Sequence, residues 1–279
     1  MLPKAAYDHY ANESRSRFTG GHTGHSPVFR LKEALIAMAM FGEGNSVVAP
    51  NQEILSVYRG FIDVLKEVLP PELGFIGIEI RMPEVVLVTK SGTWPIDAAS
   101  GGVMSIIDMA WSIFLFSRQH RSFVVTMDEP ENHLHPSMQR SLLRNFTTTF
   151  PNTQFVVATH SPFIVTSSPT ANVYVLRFEG AKDLIREDGE NPHSYDRRVR
   201  SVYLEKGARA GSANEILRDV LGVPATMPVW VEKELDQIID RYRGRRIEEP
   251  LLADLRSELN RLGLDEYYAD AVTGVVARP

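Results

Sequence analysis

Two apolar runs in the sequence each end in side chains that can act on a phosphate group. The stretch FVVTMDEPENHLHP places Asp128 and Glu129 directly after one run, and QFVVATHSP places His160 after the next. An aspartate at such a position can order a magnesium ion, and the adjacent glutamate can polarise a water molecule for in-line attack on a phosphate. A histidine nearby can contact the terminal phosphate. If the runs are neighbouring parallel strands, their carboxyl ends bring these side chains together in one crevice.

A second candidate phosphate site lies at the start of a long apolar helix. Ser100, Gly101 and Gly102 open the segment VMSIIDMAWSIFLFS, which is apolar almost all round. The first N–H groups of a helix lack intrahelical acceptors, and with the positive end of the helix dipole they attract anions. Most Ser-Gly-Gly triplets are only flexible turns or helix starts, so the residues alone leave both interpretations open.

A different metal chemistry is offered by His133 and His135. The His-x-His spacing close to Asp128 could bind zinc, as in metal-dependent hydrolases. A zinc site needs a further ligand, and the position of His160 is better explained by phosphate chemistry. We keep a zinc hydrolase as an alternative. His22 and His25 lie in a polar, glycine-rich stretch and are expected to be solvated.

The elements before these motifs are predicted from periodicity and from capping residues. Helical spacing of apolar residues predicts helices over 27–41, after the cap residue Ser26, and over 52–68. The alternating segments FIGIEI and VVLVTK predict an antiparallel hairpin with Pro83 in its turn. Residues 1–26 show neither a helical nor a strand period, which predicts a polar loop.

Strands and helices alternate around the motifs and after them. The continuous apolar runs SFVVTM, QFVVAT and NVYVLRF predict a parallel sheet that is covered on both faces, with a helix over 136–150 after the first strand. The charged residues 179–200 are expected to be exposed, and the segments after them read as a helical tail. The fold class is therefore α/β.

Composition limits the classes of function. The chain has 279 residues, of which 43% are hydrophobic, and a formal net charge of -5, so it can fill a core but has no global positive field for nucleic acid. Nucleic-acid contact would need a local patch such as YDRRVR. The absence of cysteine excludes disulfides, thiolate metal sites and a cysteine nucleophile. With no leader sequence, and with the apolar run EALIAMAMF too short to span a bilayer, we expect a soluble, cytoplasmic protein that is not bound to a membrane.

The order of these motifs resembles the second half of an ABC-type ATPase head, in the AAA branch that includes RecF-like, OLD-like and Septu-type antiphage ATPases. In this resemblance Asp128 is the Walker B aspartate that holds Mg²⁺ through water, Glu129 is the catalytic base and His160 is the switch histidine. The D-loop residues are Asn132, His133, Leu134 and His135. The family signature Leu-Ser-Gly-Gly-Gln is matched by ASGGV, in which Ser100, Gly101 and Gly102 agree.

The resemblance implies a function and partners. It implies ATP and Mg²⁺ as cofactors, and a homodimer in which Ser100, Gly101 and Gly102 bind the ATP held by the opposite protomer. It also implies conformational work in DNA maintenance or antiphage defence, with a separate nuclease as a possible partner. The segment VWVEKELDQI faintly resembles the start of a TOPRIM nuclease domain, but the Asp-x-Asp that should follow is absent.

The resemblance does not extend to the nucleotide-cradling loop. No G-x-x-x-x-G-K-[ST] motif occurs, and the nearest string, GGHTGHS, has His25 where the phosphate-binding lysine should be. We therefore expect a partial head, a fragment, split or degenerate form, that is inactive on its own. The predicted organisation is a polar loop over 1–26, the head over 27–180 and a charged linker with helical tail over 181–279. The competing interpretation is an inactive docking or scaffold module.

Overall fold

The computed structural model describes residues 3–21, 25–178, 199–205, 213–221, 228–242 and 248–277. The chain divides into two units, Met1–Ala210 and Gly211–Pro279. All the predicted site residues lie in the first unit.

Four helices form most of the core of the first unit. They are α1 (Pro3–Phe18), α2 (Pro27–Glu43), α3 (Gln52–Val68) and α4 (Gly101–Ser117). The predicted helices over 27–41 and 52–68 are confirmed by α2 and α3. Ser26 and Asn51 cap these helices, since their side chains accept hydrogen bonds from first-turn N–H groups. At the centre, the Phe61 ring of α3 meets the Trp111 ring of α4 edge to face at 4.7 Å.

The prediction of a loop over residues 1–26 is wrong for Pro3–Phe18, which is helix α1. This helix is polar, but its Tyr10 side chain is only 4% exposed and belongs to the core. The Tyr10 hydroxyl hydrogen-bonds the Asp108 carboxylate of α4, and Glu13 forms an ion pair with Arg30 of α2 at 3.2 Å. Burial raises the pKa of Asp108, and the hydrogen bond from Tyr10 partly opposes that shift. Long-range contacts therefore hold a helix that has no apolar period of its own.

A three-stranded antiparallel sheet follows α3. It consists of β1 (Phe75–Arg81), β2 (Glu84–Thr89) and β3 (Gly92–Pro95), in that order. The predicted hairpin is confirmed, with Ile78 opposite Leu87 and Pro83 in the turn. The third strand, which places Trp94 opposite Leu87, was not predicted because it is short and ends at Pro95.

The predicted site elements form a parallel pair of strands with a helix between them. These are β4 (Phe123–Asp128), α5 (Pro136–Thr149) and β5 (Thr153–Ala158), followed by the short helix α6 (Pro162–Thr166). The register runs from Phe123 opposite Thr153 to Asp128 opposite Ala158. The two strands therefore end side by side, and the predicted α/β class is confirmed.

The expectation that both faces of this sheet are covered is wrong for the described residues. Inward side chains such as Val125 and Val157 pack against the core, but Val124 and Val156 on the opposite face are 57% and 51% exposed. A continuous apolar run is typical of a strand buried on both faces. Here burial alternates along β4 and β5, so one face packs on the helices and the other is open.

The third predicted strand does not join the parallel sheet. Strand β6 (Val173–Phe178) instead pairs antiparallel with β7 (Val199–Leu204) along its whole length. The rings of Tyr174 and Tyr203 lie directly opposite one another, with their centroids 5.5 Å apart. Because β7 begins inside the stretch expected to be exposed and charged, β6 had a partner that the apolar pattern did not reveal. Residues 179–198 lie outside the described residues.

The second unit is helical in its described parts, as predicted for the tail. Its elements are a short helical turn (Ala213–Glu215) continued by a π-helix (Ile216–Val220), then α7 (Val229–Tyr242), α8 (Glu249–Leu262) and α9 (Tyr268–Ala277). Ile238, Leu255 and Leu259 are fully buried in its own apolar cluster. Within the parts of the chain that the structure describes, no helix is both long and apolar enough to cross a membrane.

Candidate functional site

The acidic pair and the histidine meet at the carboxyl edge of the β4–β5 pair. Asp128 is the last residue of β4 and lies opposite Ala158, the last residue of β5. One residue further along the first strand, the Oε1 atom of Glu129 lies 3.8 Å from the Nε2 atom of His160. The side chain of His160 is 88% exposed and that of Glu129 46% exposed, so both are accessible to a ligand. The structure thus brings together the three residues that the sequence analysis grouped.

The backbone turns sharply at Glu129. Its N–H still donates to the Ala158 carbonyl at 2.9 Å, which extends the parallel ladder by one residue, but its φ is 45°. A left-handed backbone is unfavourable for a residue with a Cβ, and conformations of this kind cluster at functional sites. The Asn132 side chain donates to Glu129 Oε2 at 3.3 Å, so the glutamate is held from one side. The strained turn directs Glu129 toward His160.

The residues of the predicted D-loop have distinct roles in the turn between β4 and α5. Leu134 is 6% exposed and anchors the turn in the core. The Nδ1 atom of His135 accepts from the Ser137 N–H at 3.3 Å and so caps α5. His133 has a φ of 67°. Only Asn132 contacts the acidic pair, through Glu129.

These positions do not favour the zinc alternative. His135 already uses Nδ1 as the acceptor of the α5 cap. Across the described ranges, no group of three or more His, Asp or Glu side chains is arranged to hold a metal ion. Asp128 stands as a single carboxylate at the end of β4. Residues 22–24 of the string GGHTGHS lie outside the described residues, and the His25 ring stacks on Phe29 at 4.5 Å.

The Ser-Gly-Gly turn forms the start of α4 and touches the D-loop segment of the same chain. Ser100 is the N-cap, with its hydroxyl oxygen accepting from the Val103 N–H at 3.4 Å. Gly102 is buried, and a Cβ placed on it would lie 2.8 Å from the His133 carbonyl oxygen. A Cβ on the exposed Gly101 would lie 3.7 Å from the His133 Cβ, an ordinary contact. Gly102 is thus required by close packing, whereas position 101 is exposed and has room for a Cβ.

Two residues that the sequence patterns did not single out connect the two loops of the site. Glu131 accepts a hydrogen bond from the His160 N–H, and Gln139 accepts one from the Ser161 hydroxyl. A weak signal was available for Glu131, since it is a second glutamate only two positions after Glu129. Gln139 gave none, because a polar residue in the second turn of an amphipathic helix is ordinarily solvated.

Part of the chain is similar to one known protein family and to several relatives. Residues 43–165 match the AAA ATPase domain family, a range that contains the Ser-Gly-Gly turn, the acidic pair and His160. The chain is 36% identical over 53 residues to the Retron Vc95 probable ATPase of Vibrio cholerae serotype O1 biovar El Tor, which covers 19% of this chain and 10% of that protein. It is 39% identical over 54 residues to the Retron Ec83 probable ATPase of Escherichia coli, with the same coverage of each chain.

A third relative matches over a longer range. The Septu protein PtuA of Bacillus thuringiensis is 26% identical over 129 residues, or 45% of this chain and 30% of that protein. The chain therefore spans between a tenth and a third of the length of these relatives. A solved structure from a study of the ATP-driven dimerization and DNA-stimulated activation of SMC ATPases superposes with a TM-score of 0.42 and 14% identity, over 62% of this chain and 94% of that one.

The range that matches the family contains all the motifs of the candidate site. It covers the Ser-Gly-Gly turn, the acidic pair at the end of β4 and the histidine beyond β5 in the order that the sequence analysis found. Residues 43–165, less than half of the chain, are similar to the AAA ATPase domain family.

Proposed function

We propose that the chain is an ATP-hydrolysing head that works as a nucleotide-dependent dimer in DNA maintenance or antiphage defence. The observation that carries the proposal is the approach of Glu129 to His160, at 3.8 Å, where β4 and β5 end side by side. Phosphoryl transfer depends mainly on positioned charges and a positioned nucleophile, and this edge offers both a carboxylate base and a second polar group.

Each residue at the edge has a proposed role. Glu129 accepts the proton of the attacking water, and the hydrogen bond from Asn132 keeps the carboxylate oriented for that step. His160, which is almost fully exposed, hydrogen-bonds the terminal phosphate of bound ATP. Because the two side chains are already close to each other, bound ATP can place its attacking water beside Glu129 and its terminal phosphate beside His160.

Asp128 is the residue that suits a magnesium ion. Mg²⁺ retains several of its waters and binds proteins through one or two carboxylates together with the phosphates of the substrate. A single exposed carboxylate at the end of β4 fits that ligand set, with contact through water. Mg²⁺ would supply charge neutralisation for the phosphates when bound. Asp128 would help to hold that ion.

The start of α4 is the proposed contact with the nucleotide of a second copy of the chain. Gly101 is exposed at the first position of a helix of 17 residues, where the positive end of the helix dipole favours an anion. This turn rests on the His133 backbone of its own chain. It therefore lies beside the D-loop segment, so one opposing surface could reach both.

The phosphate loop is the part of the site that the sequence does not contain. No G-x-x-x-x-G-K-[ST] occurs in the 279 residues. The second candidate is a catalytically inactive docking or scaffold module that binds a partner carrying a lobe with this loop and, as the family resemblance suggests, works beside a nuclease. In both cases ATP is held only when such a lobe is present.

The experiment that tests the dimer uses a matched pair of substitutions at Gly101. In an assembly that supplies a phosphate loop, light scattering with Mg-ATP should give twice the mass for wild type and for Gly101→Ala, whose methyl group fits. Gly101→Asp adds a negative charge where phosphate must approach, and it should remain at the single mass. Dimerisation of Gly101→Asp at wild-type ATP concentrations would show that the turn is only a helix start.

A further inference from the structure

The Glu131 side chain binds the turn that carries His160. Its Oε1 atom accepts from the Thr159 hydroxyl at 2.6 Å, from the His160 N–H at 3.0 Å and from the Ser161 N–H at 3.1 Å. The Thr159 hydroxyl oxygen also accepts from the Ser161 N–H at 2.9 Å. One carboxylate oxygen therefore gathers three donors from three consecutive residues, and the acidic loop is joined to the His160 turn at its beginning.

Gln139 joins the same two loops at the other end. The Ser161 hydroxyl donates to Gln139 Oε1 at 2.6 Å, and the Gln139 amide donates to the Leu134 carbonyl at 2.9 Å. Ser161 is only 7% exposed, so this second link is shielded from water. The Leu134 N–H donates in turn to the Glu131 carbonyl at 2.9 Å, so the hydrogen bonds form a closed circuit from Glu131 through the His160 turn and back.

The attraction between Glu129 and His160 is too weak to fix the distance between the two side chains. Both side chains are substantially exposed, and exposed ion pairs contribute little to stability. The separation of 3.8 Å must therefore be set by the two backbones. We infer that Glu131 is a positioning residue, which fixes the His160 turn against the acidic loop, and that Gln139 completes this brace. The effect on turnover rests on the proposed function, whereas the brace itself does not.

All three hydrogen bonds to Glu131 use the same oxygen, so the role of Glu131 as an acceptor can be tested separately from its negative charge. Glu131 Oε2 is buried and has no hydrogen-bond partner among the described residues. A glutamine can place its carbonyl oxygen where Oε1 lies and still accept from the three donors, whereas an alanine offers no acceptor. Glu131→Gln is therefore the conservative variant that should preserve the brace, and Glu131→Ala the one that should remove it.

Amide hydrogen exchange in the full chain tests the brace without any need for ATP. In Glu131→Ala the His160 and Ser161 amides should exchange at least about tenfold faster than in wild type. A factor of ten corresponds to about 1.4 kcal/mol, which is near the lowest free energy that a hydrogen bond to a charged group contributes. Glu131→Gln should stay within about fivefold of wild type, because neutral hydrogen bonds are weaker but remain. Glu67→Ala, at an exposed position of α3, is the control and should change neither amide.

A second variant keeps the test decisive if Glu131→Ala does not fold. Thr159→Val removes one of the two acceptors of the Ser161 N–H and leaves the His160 N–H bonded to Glu131. It should accelerate exchange at Ser161 more than at His160. Wild-type exchange at both amides in Glu131→Ala, or equal acceleration in Glu131→Gln and Glu131→Ala, would overturn the brace.

Turnover tests the positioning role separately. In an assembly that hydrolyses ATP, Glu131→Ala should lower kcat by about 10- to 100-fold, as expected for a misplacement near 1 Å, with KM within about twofold of wild type. Glu131→Gln should restore most of kcat. An unchanged kcat despite faster amide exchange would refute the positioning role. If no assembly hydrolyses ATP, the proposed function fails, and the exchange result still decides the brace.

Discussion

The contact between Gly102 and His133 gives a stability difference that can be worked out from the structure. A Cβ on Gly102 would lie 2.8 Å from the His133 carbonyl oxygen, so Gly102→Ala needs a shift of about 0.6 Å to reach an ordinary separation. Overpacking of this kind costs about 1–3 kcal/mol. Gly101→Ala meets only the His133 Cβ, at 3.7 Å, and gains up to about 1 kcal/mol of helix propensity.

The two alanine variants therefore form a matched pair one residue apart. Gly101→Ala should unfold in denaturant at or slightly above the wild-type midpoint. Gly102→Ala should be about 1–3 kcal/mol less stable than Gly101→Ala, because both gain helix propensity and only Gly102→Ala is overpacked. Equilibrium denaturant unfolding of both variants, with the slope compared to that of wild type, gives the difference. A Gly102→Ala protein as stable as Gly101→Ala would refute the close packing of α4 against the acidic loop.

Two other predictions concern nucleotide and the first helix. The chain alone should bind Mg-ATP weakly or not at all in calorimetry, because Asp128 and His160 cannot offset the cost of immobilising a nucleotide without a phosphate loop. A micromolar dissociation constant would mean that another segment binds phosphate, and GGHTGHS would be the first segment to test. Tyr10→Phe should lower the free energy of unfolding by about 1–3 kcal/mol, since it leaves the buried Asp108 carboxylate without its donor. Tyr174→Phe, whose ring is 61% exposed, should unfold like wild type in the same measurement.

The parts of the fold that the sequence predicted are those whose signals are local. Ser26 and Ser100 are caps next to apolar segments, and both begin helices where expected. The grouping of Glu129 with His160 followed from one general rule, that parallel strands end at the same edge of a sheet. Neither inference needed knowledge of which distant residues touch.

The parts that failed depend on contacts between distant residues. Helix α1 is held by Tyr10 and Asp108, which lie far apart in the sequence, so no window could show that its polar residues fold. Strand β6 looked like a strand of the parallel sheet, but its partner β7 begins beyond a long charged stretch. An apolar run also does not reveal how many of its faces are covered, as the exposure of Val124 shows.

At the candidate site, the sequence predicted the exposed groups where β4 and β5 end, and it passed over the residues that hold those groups in place. Glu131 and Gln139 are polar residues in a loop and a helix, and only the folded chain turns them toward the His160 turn. Residues that position others carry no chemical pattern of their own, because their role is set by the donors they meet. The left-handed backbone at Glu129 could not be predicted from the sequence either, because glutamate seldom adopts that conformation.

The central claim is that Glu129 is the base of an ATP-hydrolysing site, and the rate of phosphate release tests it most directly. In an assembly that supplies the phosphate loop, Glu129→Gln should reduce ATP turnover to the background while ATP remains bound, because Asp128 is left intact. Glu67→Gln, at an exposed position of α3, should hydrolyse at the wild-type rate. Hydrolysis by Glu129→Gln at the wild-type rate would contradict the account.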